Sequence, residues 1–215
     1  MIGRAFRHLG VLGDISQGVN PFRGTRDWRE VDDLLSSDGA AARRVNLYQS
    51  YRSTQPIIEF ANQILERVGV PDEARLQPFP REGEPPRLIH AQNEAAMIDE
   101  VATILDDLAG AEFQSAAVIC KTATQAQRVA RLLETRLQAT FVLIARASDA
   151  RAADIVVVPG YLAKGMDFDV VVVVGADEGT YGSSELDAKL LYVAVTRALH
   201  RLYLLWTGRP SPLLA

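Results

Sequence analysis

Five consecutive valines, Val170-Val171-Val172-Val173-Val174, constrain this chain more than any other feature. A branched Cβ favours extended backbone, and successive side chains of a strand point to opposite faces. A strand with no polar alternate must be covered on both sides, which places it centrally in a parallel sheet flanked by helices. The rest of the chain keeps the same rhythm of short apolar runs and longer helical patterns. Strands are expected at Arg87 to His90, Ala116 to Cys120, Phe141 to Ile144, Ile155 to Val158, Val170 to Val174 and Leu202 to Trp206. Helices are expected at Pro56 to Val68, Glu94 to Leu108, Thr124 to Leu137 and Glu185 to Leu199. The predicted class is α/β with a mostly parallel central sheet.

Two helix starts carry their own signals. Ser53 or Thr54 can cap the first, Pro56 suits its opening turn, and Gly69 then Pro71 stop it. Ser184-Glu185-Leu186-Asp187 resembles a capping box with aspartate in the last place. Between Pro71 and Pro86 stand Pro71, Pro78, Pro80, Pro85 and Pro86, which reads as a surface loop. The first forty residues differ: a short strand at Leu9 to Leu12, a turn-rich stretch from Gly13 to Gly24, and a helix near Trp28 to Leu35.

A chain of 215 residues with 48% hydrophobic and 23% charged residues has enough apolar material for one well-buried domain with a small appendage. No run approaches a membrane span, and the first residues lack a signal-peptide pattern. The single cysteine, Cys120, follows Ala116-Ala117-Val118-Ile119 and reads as a buried strand thiol. These features point to a cytoplasmic protein with no membrane partner. A net charge of −4 means that any nucleic-acid contact must come from a local basic groove.

Four segments carry chemistry. Tyr51-Arg52-Ser53-Thr54 precedes a helix, and Lys164-Gly165-Met166-Asp167-Phe168-Asp169 is a polar turn between valine-rich strands. Tyr192-Val193-Ala194-Val195-Thr196-Arg197-Ala198 is an apolar run with one arginine, and Gly13-Asp14-Ile15-Ser16-Gln17 leads to Phe22-Arg23-Gly24. A guanidinium is planar and donates paired hydrogen bonds, which suits phosphate oxygens. Taken singly, Arg52 can pair with a surface carboxylate and Arg197 can lie along an apolar helix. Val172-Val173-Val174-Gly175-Ala176-Asp177-Glu178 imitates a Walker B strand, but no GxxxxGK[ST] string accompanies it, so Asp177 and Glu178 read as loop acids.

In order, these segments resemble motifs III, IV, V and VI of a superfamily 1 helicase of the UvrD/Rep type. The likeness implies the C-terminal part of such an enzyme: a RecA-like, P-loop NTPase-type three-layer fold without the P-loop itself. It implies that residues 1–40 end a first RecA-like domain and that residues 41–215 form the second. Arg52 and Arg197 take the arginine-finger role toward ATP held with Mg2+ by the missing N-terminal RecA-like domain, and Gln17 senses the phosphate or the attacking water. Tyr51 stacks on adenine, Gly165 admits the nucleotide and Asp167 accepts the ribose hydroxyls. Phe22 and Arg23 meet single-stranded DNA, a ring on a base and a cation on phosphate. No residue is assigned to a metal.

The departures matter as well. Motifs I and II are missing, so the chain alone is expected to be inactive and to belong to a longer polypeptide. Pro159-Gly160-Tyr161 stands where the family has Thr-x-His, and Asp167 replaces a glutamate. The span from Arg52 to Lys164 has no room for the large accessory domain of UvrD and Rep. These traits look more like the HelD-type branch, some of whose members act on RNA polymerase. Three readings therefore stand: a DNA helicase or translocase motor, a HelD-like ATPase that remodels RNA polymerase, and a non-catalytic α/β interaction module.

Overall fold

The computed structural model describes residues 28–35, 49–70, 75–108, 113–146 and 154–214. Within them α1 (Trp28–Leu35) is the helix expected near the start. The strand expected at Leu9 to Leu12, the turn bearing Gln17, Phe22 and Arg23, and the boundary at residue 40 lie outside the described residues.

The valine run forms β7 (Phe168–Val174), and it is as central as its composition demands. It lies in a six-stranded sheet with β3 (Arg87–Ala91), β4 (Ala116–Cys120), β5 (Val142–Leu143), β6 (Ile155–Pro159) and β8 (Ala198–Thr207). The order is β3-β8-β7-β4-β6-β5, and every pair is parallel. Val172 faces Val118 across one ladder and Tyr203 across the other. Val171 and Val173 pack under α2 (Gln55–Glu66) and α5 (Glu185–Val195), whereas Val170, Val172 and Val174 pack under α3 (Glu94–Leu108) and α4 (Ala123–Leu133). All five are fully buried, so the run feeds two cores at once. Cys120 lies in the second core, where burial pushes its thiol up to about 12. Among the described residues no helix is long and apolar enough to cross a membrane.

The last helix is shorter than its apolar pattern predicts. It stops at Val195 instead of Leu199, because the Phe168 N–H donates to the Arg197 carbonyl at 2.9 Å and β8 begins at Ala198 opposite Phe168. The Thr196 hydroxyl turns back onto the Tyr192 carbonyl at 2.8 Å. Arg197 therefore sits in a tight turn at the mouth of β8, not on a helix.

The proline-rich segment is more than a surface loop. Its residues Gln77–Pro78 form β2, which pairs in parallel with β1 (Gln49–Ser50) just ahead of Tyr51 and Arg52. The segment then folds over the start of α2: the Gln55 N–H donates to the Arg81 carbonyl at 2.8 Å, and Gly83 lies against Thr54. Thr54 is the N-cap residue, yet its side chain makes no capping bond, and its buried Oγ1 has no partner. The close approach of Gly83 explains the missing residue type: a Cβ there would stand 2.7 Å from Thr54 Oγ1.

At the carboxyl edge of the sheet, β4 and β7 send their following helices to opposite faces, which makes this the topological switch point. The gap is closed by side chains. Gln125 accepts from the Lys121 N–H at 3.0 Å and donates to the Val174 carbonyl at 3.2 Å. Lys121 Nζ reaches Asp187 at 2.5 Å and lies over the Tyr181 ring, 5.4 Å from its centroid. The predicted cap at Ser184 is present, its hydroxyl accepting from the Asp187 N–H at 3.1 Å. Asp187, however, turns to Lys121 and the Gly182 N–H instead of completing the box. This ties the front of α5 to the end of β4.

Two outcomes are expected from these contacts. Burial favours the neutral form of Asp187, but the hydrogen bond and charge of Lys121, with Gly182 and Ser184, outweigh it and hold the carboxyl below its ordinary value. A depressed folded-state pKa gives stability that is present above the unfolded value and lost as pH falls through the folded one. Asp187→Asn should lower the urea midpoint at pH 7, with the gap to the parent closing below about pH 4; an undiminished gap at pH 3 would contradict this cause. Gly83→Ala should lower stability by about 1–3 kcal/mol in the same urea assay, since the added Cβ would overlap the buried Thr54 side chain.

Candidate functional site

Three of the four predicted segments meet at the amino end of the sheet. Arg52 follows β1, Asp167 immediately precedes β7, and Arg197 immediately precedes β8. Because β7 and β8 are adjacent and parallel, the residues before them are neighbours regardless of their separation in sequence. The Asp167 carboxylate pairs with Arg52 Nη2 and stands 3.8 Å from Arg197 Nη1, so two guanidiniums face one anion.

The two arginines differ in setting. The Arg52 side chain is 54% exposed, free to change partners at low cost, as exposed ion pairs contribute about 0–1 kcal/mol. Arg197 is only 3% exposed. It donates from Nε to the Val193 carbonyl at 3.1 Å, from Nη1 to the Met166 carbonyl at 3.2 Å, and from Nη2 to Thr196 Oγ1 at 3.2 Å. A buried guanidinium needs such acceptors, and these lock the turn before β8 to the turn before β7. Gly165 lies in that second turn with φ +85, a left-handed conformation that glycine adopts without strain. A Cβ on it would meet nothing within 4 Å, so its role here is conformational.

Tyr51 projects from the end of β1 and is 62% exposed, its hydroxyl donating to Gln49 Oε1 at 2.6 Å. Beside it lie residues that the sequence reading passed over. Arg81 donates from Nη1 to the Arg52 carbonyl, and its Nη2 stands 3.2 Å from both ring nitrogens of His200. His200 Nε2 in turn is 3.7 Å from Asp169, whose other oxygen accepts from the Gln114 and Ser115 N–H groups at 2.9 and 3.0 Å. Phe79 packs on Tyr51. No periodicity marks Arg81 or Phe79, since both lie among prolines; His200 follows Arg197 by three residues, which was the one available signal.

The residues that the sequence sets apart from the site also lie away from this cluster. Tyr161 is exposed at the opposite, carboxyl end of the sheet, just beyond β6. Asp177 accepts from the Thr180 N–H at 2.8 Å and Glu178 faces Arg209 at 3.8 Å, as loop acids do. Chemically, the amino-end cluster is an anion seat: two guanidiniums, one exposed and one buried, directed at oxygen. That donor set fits phosphate oxygens as it fits the carboxylate now holding it. Among the described residues no group of three or more His, Cys, Asp or Glu side chains is placed to bind a metal ion.

Comparison with known proteins agrees with this layout. Residues 45–146 and residues 154–205 match two family models, each described as a UvrD-like helicase C-terminal domain. No curated protein matches. A solved C-terminal domain of a possible DNA helicase from Lactobacillus plantarum WCFS1 aligns with TM-score 0.63 and 32% identity, over 77% of this chain and 92% of that one. An arterivirus helicase, nonstructural protein 10 solved with DNA, aligns with TM-score 0.39 and 10% identity over 68% of this chain and 31% of that one, too slight a likeness to use. With its parallel sheet, its three converging segments and a solved relative covered almost end to end, the chain belongs to the UvrD-like helicase C-terminal domain family.

Proposed function

We propose that residues 41–215 act as the second RecA-like motor domain of an ATP-dependent DNA helicase or translocase, residues 1–40 belonging to the first. The observation that carries this reading is the meeting of Arg52, Asp167 and Arg197 before two adjacent strands. Arg52 and Arg197 are assigned to the γ-phosphate of ATP bound by a companion N-terminal domain, which also supplies the Mg2+ ligands. Asp167 holds the two cations in place until a more highly charged anion displaces it, after which its oxygens are available to the ribose. Arg52 swings from the surface; Arg197, already fixed by backbone carbonyls, waits beneath. Gln17 completes the set as the phosphate sensor. Tyr51 takes the base, and Phe22 and Arg23 contact single-stranded DNA.

The test is steady-state ATP hydrolysis by the chain joined to its companion domain, with and without single-stranded DNA. Arg52→Ala should cut kcat by about 10³-fold or more while moving KM much less, as removal of an arginine finger does. Because Arg52 is exposed, its replacement leaves the fold intact, which Arg197→Ala does not guarantee. The chain on its own should show no turnover. A kcat for Arg52→Ala within tenfold of the parent would remove the finger role. Turnover indifferent to DNA, together with RNA polymerase in the purified complex, would favour the polymerase-remodelling reading.

A further inference from the structure

Phe79 and Tyr51 are two exposed aromatic rings in contact beside Arg52. Phe79 is 41% exposed, and its ring centroid lies 4.9 Å from that of Tyr51 with the planes tilted by 38°. Backbone pairing, not chance, brings them together. β1 and β2 run in parallel with Gln49 opposite Gln77 and Ser50 opposite Pro78, and the Phe79 N–H donates to the Ser50 carbonyl at 3.1 Å. The Arg81 N–H then bends back to the Phe79 carbonyl at 2.7 Å, while Arg81 itself holds the Arg52 carbonyl. One short strap thus supports two consecutive residues, Phe79 behind Tyr51 and Arg81 behind Arg52.

Tyr51 is held at its hydroxyl by Gln49 and on one side by Phe79, yet most of its surface remains open. A ring fixed in this way has lost rotamer freedom before any ligand arrives, and a stacking surface that is already ordered binds a flat partner more tightly than one that must be ordered first. The segment responsible is stiffened by Pro78 and Pro80 on either side of Phe79.

We propose that Phe79 is a positioning residue for nucleotide binding: it braces Tyr51 so that the open face of that ring receives the purine base of the nucleotide. This rests on the reading of Tyr51 as the base-stacking residue given above. Phe79 touches Tyr51 and not the phosphates, so its removal should weaken recognition of the base alone.

The 215-residue chain is titrated with ATP and, separately, with inorganic tripolyphosphate, both to millimolar concentration, followed by nuclear magnetic resonance of backbone amides and tyrosine ring protons. The parent should bind ATP more tightly than tripolyphosphate and show an upfield ring shift at Tyr51. Phe79→Ala should weaken ATP binding about three- to tenfold, the range of one aromatic pair, leave tripolyphosphate binding unchanged and diminish the ring shift. Phe79→Trp should restore both. If Phe79→Ala binds ATP as the parent does while Tyr51→Ala binds it more weakly, the bracing role is overturned and the stacking role survives. If Tyr51→Ala also binds ATP as the parent does, or if the parent does not distinguish the two ligands, the base-stacking reading fails and this inference fails with it. Equal weakening toward both ligands in Phe79→Ala overturns it too, by showing a collapse of the whole turn.

Discussion

The carboxylate of Asp167 is the point on which this site depends. It is held at the root of β7, and β7 cannot move without disturbing two cores. Its partners enter from unrelated parts of the chain, Arg52 from the turn after β1 and Arg197 from the turn before β8. A single negative charge shared by two guanidiniums is a modest arrangement at a half-exposed surface, where water screens the pair. For that reason it is exchangeable. A polyphosphate carries several charges and offers paired oxygens, the pattern that planar guanidinium donors match best.

The position of this cluster runs against the general habit of parallel sheets, whose ligands gather beyond the carboxyl ends at the switch point. Here that crevice, between β4 and β7, is filled by Gln125, Lys121 and Asp187. There the side chains satisfy each other. The anion-seeking residues stand at the amino end. The donors stand at the edge of the domain, with the Arg52 side chain 54% exposed.

Much of the fold was legible because burial dictates composition directly. The valine run, the buried Cys120 strand and α3, whose observed limits coincide with Glu94 to Leu108, all follow from apolar periodicity. What periodicity could not show was where tertiary hydrogen bonds cut an element short. The pattern from Glu185 to Leu199 is apolar throughout, so nothing in it distinguishes a helix from a helix that yields to a strand at Ala198. The site was legible in the same partial way. Arg52, Asp167 and Arg197 belong to recognisable segments, whereas Phe79, Arg81 and His200 owe their importance to a two-residue strand pairing and a loop crossing, contacts that leave no trace in local sequence.

α5 shows how the two ends of the sheet are made into one body. Its first turn is anchored by Asp187 to Lys121 at the end of β4, and its last turn runs directly into Arg197, whose guanidinium grips the carbonyls of Val193 and Met166. Eleven residues of helix span about 16 Å, and nearly every one from Leu191 onward is buried. Displacing Arg197 would break these bonds and disturb the buried end of α5. The groups at the amino end with room to adjust are the exposed Arg52 side chain and the partly exposed Asp167 carboxylate. The buried arginine is fixed by backbone carbonyls, and the exposed one is the guanidinium with room to change partners.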